Sequence, residues 1–359
     1  MTAFFIVSAV VIWGLFATTG LWLLTFFPAL GKFSPAGLLP VLCTAFVLAG
    51  LVFTRGHYNT FTHILYYASY ILFGLAFIAF CVSAAGAVLF ILLKILDIPA
   101  RSYLGTISVL ITWGLWACSL WGGFSAPALK RVAVSSPDLP TLKIAVISDS
   151  HLGMGVSQAR WDRALLQLEK EKPDLVFVLG DVFEYGPDAD KYAARLAAFK
   201  TPLGTYGVFG NHEYYVGYEN SKNFYQKAGI KLLENELITL PNGVQIAGLK
   251  DIKTTRVTKQ DVSNLLANAE DDKPLIVLSH TPSYAEEMAN YGTDLMLSGH
   301  THNGQIWPFN YLVKLQFPRV YGLFDVNGMK FYITSGMFYW GIPLRLFAPA
   351  ELPIIEVNP

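Results

Sequence analysis

The residues best equipped for chemistry stand in five short polar clusters in the second half of the chain. They are Ser148-Asp149-Ser150-His151, Gly180-Asp181, Gly210-Asn211-His212-Glu213, Ser279-His280 and Gly299-His300-Thr301-His302. A single Asp-x-His is most often a turn histidine beside a capping aspartate. Here every histidine of that half falls in one of the clusters, a distribution that scattered surface histidines would not produce. Asp149, Asp181 and Asn211 offer oxygens and His151, His280, His300 and His302 offer imidazoles, with His212 left over. This mixed N/O donor set suits divalent first-row metals and lacks the thiolates of a structural zinc site. Seven ligands oversupply one ion. Two ions sharing one carboxylate fit the number, and a pair ~3.5–4 Å apart clamps the oxygens of an in-line phosphoryl displacement. The protein then has to provide one proton donor for the leaving oxygen.

The clusters need a scaffold that brings them together, and the hydrophobic pattern predicts one. Short runs rich in Val, Ile and Leu alternate with amphipathic stretches, which predicts an α/β arrangement of strands covered by helices. Strands are expected at Leu142 to Ser148, Leu175 to Leu179, Thr205 to Phe209, Val244 to Gly248, Leu275 to Ser279 and Leu295 to Ser298. Trp161, Leu165 and Leu168 recur at helical spacing and mark one buried face. Pro241-Asn242-Gly243 and Asn327-Gly328 read as turns between strands, and Thr258 with Asp261 as a capping box. Nearly every expected strand runs directly into a polar cluster. In sheet-based α/β folds, ligand sites gather beyond the carboxyl ends of the strands, so the five clusters describe one site.

The ordered series Asp-x-His, Gly-Asp, Gly-Asn-His-Glu, His, Gly-His-Thr-His resembles the calcineurin-like metallophosphoesterases over residues 140 to 357. Gly304-Gln305 after the last motif, and the tail from Pro343 to Glu351, resemble the bacterial membrane-associated branch of that family. The resemblance implies a four-layer α/β/β/α sandwich. It places Asp149, His151, Asp181 and His302 around one metal, and Asp181, Asn211, His280 and His300 around the other. Asp181 is then the shared ligand, and His212 the residue that touches phosphate and assists the leaving group. Where the family commonly has Gly-Asp-x-x-Asp, this chain has Glu184, a longer carboxylate for the same supporting role; Asn303 stands where related sequences often have Gly. Glu184, Glu213, Asn303 and Arg345 are expected to support the site or touch substrate. Mn²⁺ is the first expectation for both ions, with Fe or Zn²⁺ next.

The first half of the chain is a different body. Of 26 Lys and Arg only six lie in residues 1 to 134, and of 26 Asp and Glu only Asp97 does, leaving 20 basic and 25 acidic residues after it. Neither half has the basic excess expected of a nucleic-acid-binding domain. At 53% hydrophobic residues and a mean hydropathy of +0.42, part of the chain must be solvated by lipid. A membrane core about 30 Å thick needs roughly 20 apolar residues in a helix. Four runs are expected to span, at about residues 4–27, 34–54, 66–93 and 103–125, so the chain divides into a transmembrane region at 1–134 and a catalytic domain at 135–359. The first basic residue is Lys32, so the opening segment lacks the basic start of a cleaved signal peptide. Cys43, Cys81 and Cys118 all lie in the apolar half, which leaves no disulfide framework for the other.

Four crossings put both termini of the membrane region on one side. Arg55, Lys130 and Arg131 then balance Lys32, Lys94 and Arg101, and Lys143 tips the tally slightly toward a cytoplasmic catalytic domain. The spans hold no Asp, Glu, Lys or Arg, which argues for an anchor rather than an ion pathway; in a bacterium, as the resemblance implies, that anchor is expected in the inner, cytoplasmic membrane. Four helices exceed what a soluble substrate requires, and Trp307-Pro308-Phe309-Asn310-Tyr311-Leu312-Val313 is apolar enough to touch lipid beside the site, although core packing explains it as well. The expected function is therefore metal-dependent hydrolysis of a phosphorylated lipid or lipid-linked nucleotide at the bilayer. A tethered phosphatase or phosphodiesterase for soluble substrates is the second reading, and a metal-binding adaptor without turnover the third. The oligomeric state is left open.

Overall fold

A computed structural model describes residues 2–32, 37–54, 56–99 and 101–359. It contains two compact units, Met1–Phe124 with Gly341–Leu346, and Ser125–Trp340 with Phe347–Pro359. The start of the second expected span, at 34–36, and Arg55 lie outside the described residues.

The first unit holds α1 (Thr2–Phe26), α2 (Leu39–Phe53), α3 (Thr60–Ile95) and α4 (Arg101–Phe124). Of these, α1, α3 and α4 are long and apolar enough to cross a membrane. The second expected span is corrected: α2 has 15 residues, about 22 Å of helix against a core of about 30 Å. The third run, long for one crossing, is a single 36-residue helix opened by a reciprocal Asn59–Thr62 capping box. Close packing uses small residues: a Cβ on Gly86 would fall 2.5 Å from the Trp22 ring. The segment Gly341–Leu346 belongs to this unit because α4 presents Gly122 and Gly123, where a Cβ would meet the carbonyls of Arg345 and Pro343 at 2.3 and 2.1 Å. Tyr66 Oη donates to the Gly341 carbonyl at 2.5 Å and the Arg345 N–H donates to the Ser119 carbonyl at 3.0 Å.

In the second unit the strands are β1 (Ala128–Ser135), β2 (Leu142–Ile147), β3 (Leu175–Val178), β4 (Thr205–Gly207), β5 (Lys231–Leu232), β6 (Glu236–Thr239), β7 (Gln245–Gly248), β8 (Leu275–Leu278), β9 (Leu295–Ser298), β10 (Gly322–Val326), β11 (Met329–Ile333) and β12 (Glu351–Asn358). They form two sheets, in the orders β1-β12-β2-β3-β4-β5 and β10-β11-β9-β8-β7-β6. The helices are α5 (Gln158–Lys170), α6 (Ala189–Ala197), α7 (Asn211–Val216), α8 (Tyr218–Lys227), α9 (Lys259–Leu266), α10 (Ala285–Asn290) and α11 (Asn310–Gln316).

Three apolar layers hold these elements together. One lies between the two sheets, from Ile144 and Phe177 to Ile246 and Leu297. A second packs α5, α6 and α8 on the first sheet, with Trp161, Leu165 and Leu168 fully buried as the helical spacing predicted. The third packs α9 and α10 on the second sheet. The result is the expected four-layer α/β/β/α sandwich. All six expected strands form, Pro241-Asn242-Gly243 and Asn327-Gly328 each join an antiparallel pair, and Thr258 caps α9 with Asp261. The edge strand β1 runs across the expected boundary at 134/135. It pairs in parallel with β12 from Ala128↔Glu351 to Ser135↔Asn358, so the α/β unit begins ten residues earlier.

Candidate metal centre

Strands β2, β3 and β4 run parallel in one sheet, and β7, β8 and β9 in the other. The polar clusters follow their carboxyl ends: Asp149 and His151 after β2, Asp181 after β3, Asn211 and His212 after β4, His280 after β8, His300 and His302 after β9. To turn these side chains inward the backbone takes left-handed conformations at Asp149, His151, Asp181, His300 and His302, with φ between 42° and 72°. Each costs of order 1 kcal/mol or more for a non-glycine residue, and such strain collects at functional sites. The loops also press together. A Cβ on Gly180 would lie 2.3 Å from the Gly210 nitrogen, and one on Gly299 2.3 Å from Asp149 Oδ2.

The side chains converge in three overlapping groups, each with its ligand atoms within 4.8 Å of one another: Asp149, His151 and His302; His151, Asp181 and His212; Asp181, His280 and His300. His302 Nε2 is 3.3 Å from Asp149 Oδ1 and 3.1 Å from His151 Nε2. His280 Nε2 is 3.1 Å from Asp181 Oδ2 and 3.2 Å from His300 Nδ1. Asp181 and His151 each belong to two of the three groups. Two features fit cations there. Imidazole nitrogens face one another in pairs, and the buried Oδ1 of Asn211 has no hydrogen-bond partner among the described residues. An oxygen buried in that state is costly unless a ligand claims it.

Surrounding groups orient these donors. His280 Nδ1 lies 2.6 Å from the Leu179 carbonyl, which can only accept, so Nδ1 carries the proton and Nε2 is left to face Asp181. His151 Nδ1 lies 2.7 Å from Glu184 Oε1, which leaves its Nε2 toward Asp181 and His302. The same oxygen is 2.5 Å from His212 Nδ1, an ion-pair contact rather than an aligned hydrogen bond. Glu213 is buried and accepts from the N–H groups of Asp181, Val182 and Gly210 at 2.7–2.8 Å, so it fixes two of the loops at once. Asp181 Oδ1 accepts from the His212 N–H at 2.8 Å.

Burial and charge oppose each other throughout. Burial disfavours charge on Asp149 and Asp181, yet His302 and His280 hold both carboxyls below their usual range. Glu184 is pulled down to about 2 against its burial, by His151 and His212. Burial works against protonated His212 and His280, but Asp181 lifts them to about 9 and about 10. His300 goes the other way, to about 4, through burial and repulsion from His280. Burial and Asp181 push Glu213 up to about 7.

Seven of the eight residues proposed from the clusters thus meet in one place, with Glu184 and Glu213 bonded to them, and Asn211 stands next to His212 with its oxygen buried. His212 was left over in the sequence and here stands within the middle group. Asn303 is half-buried at φ 51°, next to His302 in the short turn His302–Gly304. Arg345 is buried and falls in the segment Gly341–Leu346 of the helical unit. Sequence reasoning missed Asp251, which is buried and accepts from Thr281 Oγ1 at 2.6 Å, next to His280. It also missed the first part of the β11–β12 connection, and marked Glu351 only as the end of the family-like tail. Glu351 accepts from Tyr332, Thr334 and Tyr321 at 2.6–2.8 Å and from the Ser335 N–H at 3.2 Å. The adjoining Gly336 passes so close to Asp149 that a Cβ would lie 2.7 Å from the Asp149 Cβ. The Gly-Met-Phe run at 336–338 carries no polar signal that could have marked it.

The family model for calcineurin-like phosphoesterases matches residues 142–304. An uncharacterized metallophosphoesterase of Campylobacter jejuni is 35% identical over 246 residues, 67% of this chain and 66% of that one. One from Aquifex aeolicus is 33% identical over 239 residues, 64% of this chain and 91% of its own length. A transmembrane protein with metallophosphoesterase domain from Bos taurus is 31% identical over 268 residues, 68% of this chain and 60% of that one. Among solved structures, a dimetal phosphatase from Danio rerio is similar with a TM-score of 0.37 and 14% identity, over 55% of this chain and 88% of that one. On the family match and these identities, the chain belongs to the calcineurin-like metallophosphoesterases.

Proposed function

We propose that the α/β unit hydrolyses a phosphoester or pyrophosphate bond with two divalent cations, and that its substrate is lipid-linked. The observation that carries the hydrolytic reading is the overlap of the donor groups at Asp181 and His151. Asp149, His151, Asp181 and His302 would hold one ion, and Asp181, Asn211, His280 and His300 the other. Mn²⁺ is the preferred ion, with Fe and Zn²⁺ the alternatives that metal analysis separates. Two such ions, when bound, supply Lewis-acid polarisation of the phosphoryl group and a hydroxide nucleophile at neutral pH. The chain's own groups do the rest. Glu213 holds the Asp181 and Gly210 loops at fixed spacing, Glu184 sets the ring of His151, and His212 delivers a proton to the leaving oxygen.

The lipid-linked substrate is supported by exposed apolar surface. Within residues 306–316 only Ile306 is buried; Trp307, Phe309, Tyr311 and Leu312 are exposed and Leu315 is 85% exposed. Core packing therefore does not account for this ridge, whereas contact with a bilayer does. The number of crossings bears on sidedness. With three, Lys32, Arg55, Lys130 and Arg131 share the side of the α/β unit against Lys94 and Arg101 on the other, which favours a cytoplasmic catalytic unit.

The test uses the full chain in lipid nanodiscs. Trp307→Ser with Phe309→Ser should lower hydrolysis of phosphorylated lipids from a lipid extract at least about 5-fold more than hydrolysis of nitrophenyl phosphate. Equal losses on both would leave the ridge without a lipid role and favour the tethered enzyme for soluble substrates.

A further inference from the structure

Two exposed aromatic side chains border the same imidazole. The ring of His212 lies edge-on to Tyr215, with centroids 5.1 Å apart, and to Trp340, with centroids 5.8 Å apart. Phe338 and Tyr339 are buried, but Trp340, next in the chain, keeps 55% of its surface open, and Tyr215 keeps 61%. An isolated exposed aromatic needs no explanation. A pair facing one candidate proton donor, with one member's backbone clamped, does.

The clamp is Gln305. Its Oε1 accepts from the Trp340 N–H at 2.8 Å and its Nε2 donates to the Trp340 carbonyl at 3.2 Å, so the side-chain amide engages residue 340 as a neighbouring strand would. Gln305 is itself buried and held at φ 58°. Tyr215 is engaged on its main chain too, since Tyr185 Oη donates to its carbonyl.

We propose that Trp340, with Tyr215, forms the wall of the leaving-group subsite and selects esters whose leaving group presents a planar face, with Gln305 as the residue that positions Trp340. This rests on the reading that His212 serves the leaving oxygen: groups flanking His212 then flank whatever departs with that oxygen. Stacking on an aromatic face favours flat, unsaturated groups, such as a nucleobase or an aryl ring, over saturated groups of equal size.

The experiment measures affinity of the Mn²⁺-loaded full chain for phenylphosphonate and cyclohexylphosphonate, alongside hydrolysis of phenyl phosphate. The unmodified protein should prefer the phenyl ligand by about 5- to 100-fold. Trp340→Leu, which keeps bulk but not planarity, should abolish that preference with bound metal unchanged, and Trp340→Phe should retain it. Gln305→Ala should reduce it, and adding Gln305→Ala to Trp340→Leu should change nothing further. A Trp340→Leu protein that keeps the phenyl preference, or that loses affinity for both ligands equally, overturns the assignment. If the preference is present and depends on Trp340 but no ester is hydrolysed, the hydrolase reading fails while the subsite stands. Hydrolysis without the preference has the opposite meaning.

Discussion

Glu184 Oε1 lies 2.7 Å from Nδ1 of His151, and this contact decides which nitrogen of His151 is free to act. A carboxylate here fixes the tautomer and raises the basicity of the opposite nitrogen. Glu184→Gln should therefore weaken metal binding by about 10- to 100-fold while the fold persists. A metal titration followed by calorimetry checks it, and unchanged affinity would mean that Glu184 orients nothing.

Asp181 stands in two of the three donor groups, and its Oδ1 also accepts the His212 N–H. Asp181→Asn should leave circular dichroism largely unchanged, reduce bound metal and abolish turnover of aryl phosphates. Metal analysis that finds two ions per chain in an active variant would defeat the shared-ligand assignment.

His212 shares Glu184 with His151 but differs from its neighbours in that its ring borders two exposed aromatics. Loss of a general acid costs typically 10²–10⁴-fold. His212→Ala should keep both metals and slow hydrolysis by about that factor for poor leaving groups, with a smaller effect for nitrophenol. The comparison across a leaving-group series is decisive: a uniform loss removes the acid role.

The metal-free protein should show a pH dependence of defined sign. His212 and His280 have folded-state pKa values raised to about 9 and about 10 by Asp181 in opposition to burial, against 6.5 for the free group. Their stabilising contribution is full below about 6.5 and is lost as pH rises through 9 to 10. Glu184, held near 2, contributes fully above its ordinary 4.5 and loses that contribution as pH falls toward 2. Thermal melts in chelator should thus lose stability between pH ~7 and 10, and saturating Mn²⁺ should flatten that limb, because neutral imidazoles bind the ion. An alkaline limb of equal slope with and without metal would separate these histidines from the metal site.

The convergence of the polar clusters was legible in the linear order because each cluster follows a strand, and strands write themselves as short Val, Ile and Leu runs. Parallel strands leave their carboxyl ends on one edge, so the clusters after Ile147, Val178, Gly207, Leu278 and Ser298 had to meet there. Edge strands leave a weaker mark. In β1 only Val132 and Val134 are buried among exposed or half-exposed neighbours, so its pairing with β12, more than two hundred residues away, carries no local signature. The length of α2 depended likewise on where the backbone ends its helix, since an apolar run that continues past a helix end looks the same in sequence.

What the sequence by itself determined was the donor set, the family resemblance and the apolar character of the first half, all of which depend on residue types and short spacings. Only the tertiary structure decided that Glu184 faces two histidines, that Glu213 ties two loops, and that Gly336 backs Asp149. It also decided that Gln305 grips Trp340 beside His212. Each of these joins residues that the chain separates by up to about 190 positions, and a hydrogen bond or a close approach depends on where folding brings two groups, which composition and periodicity do not encode.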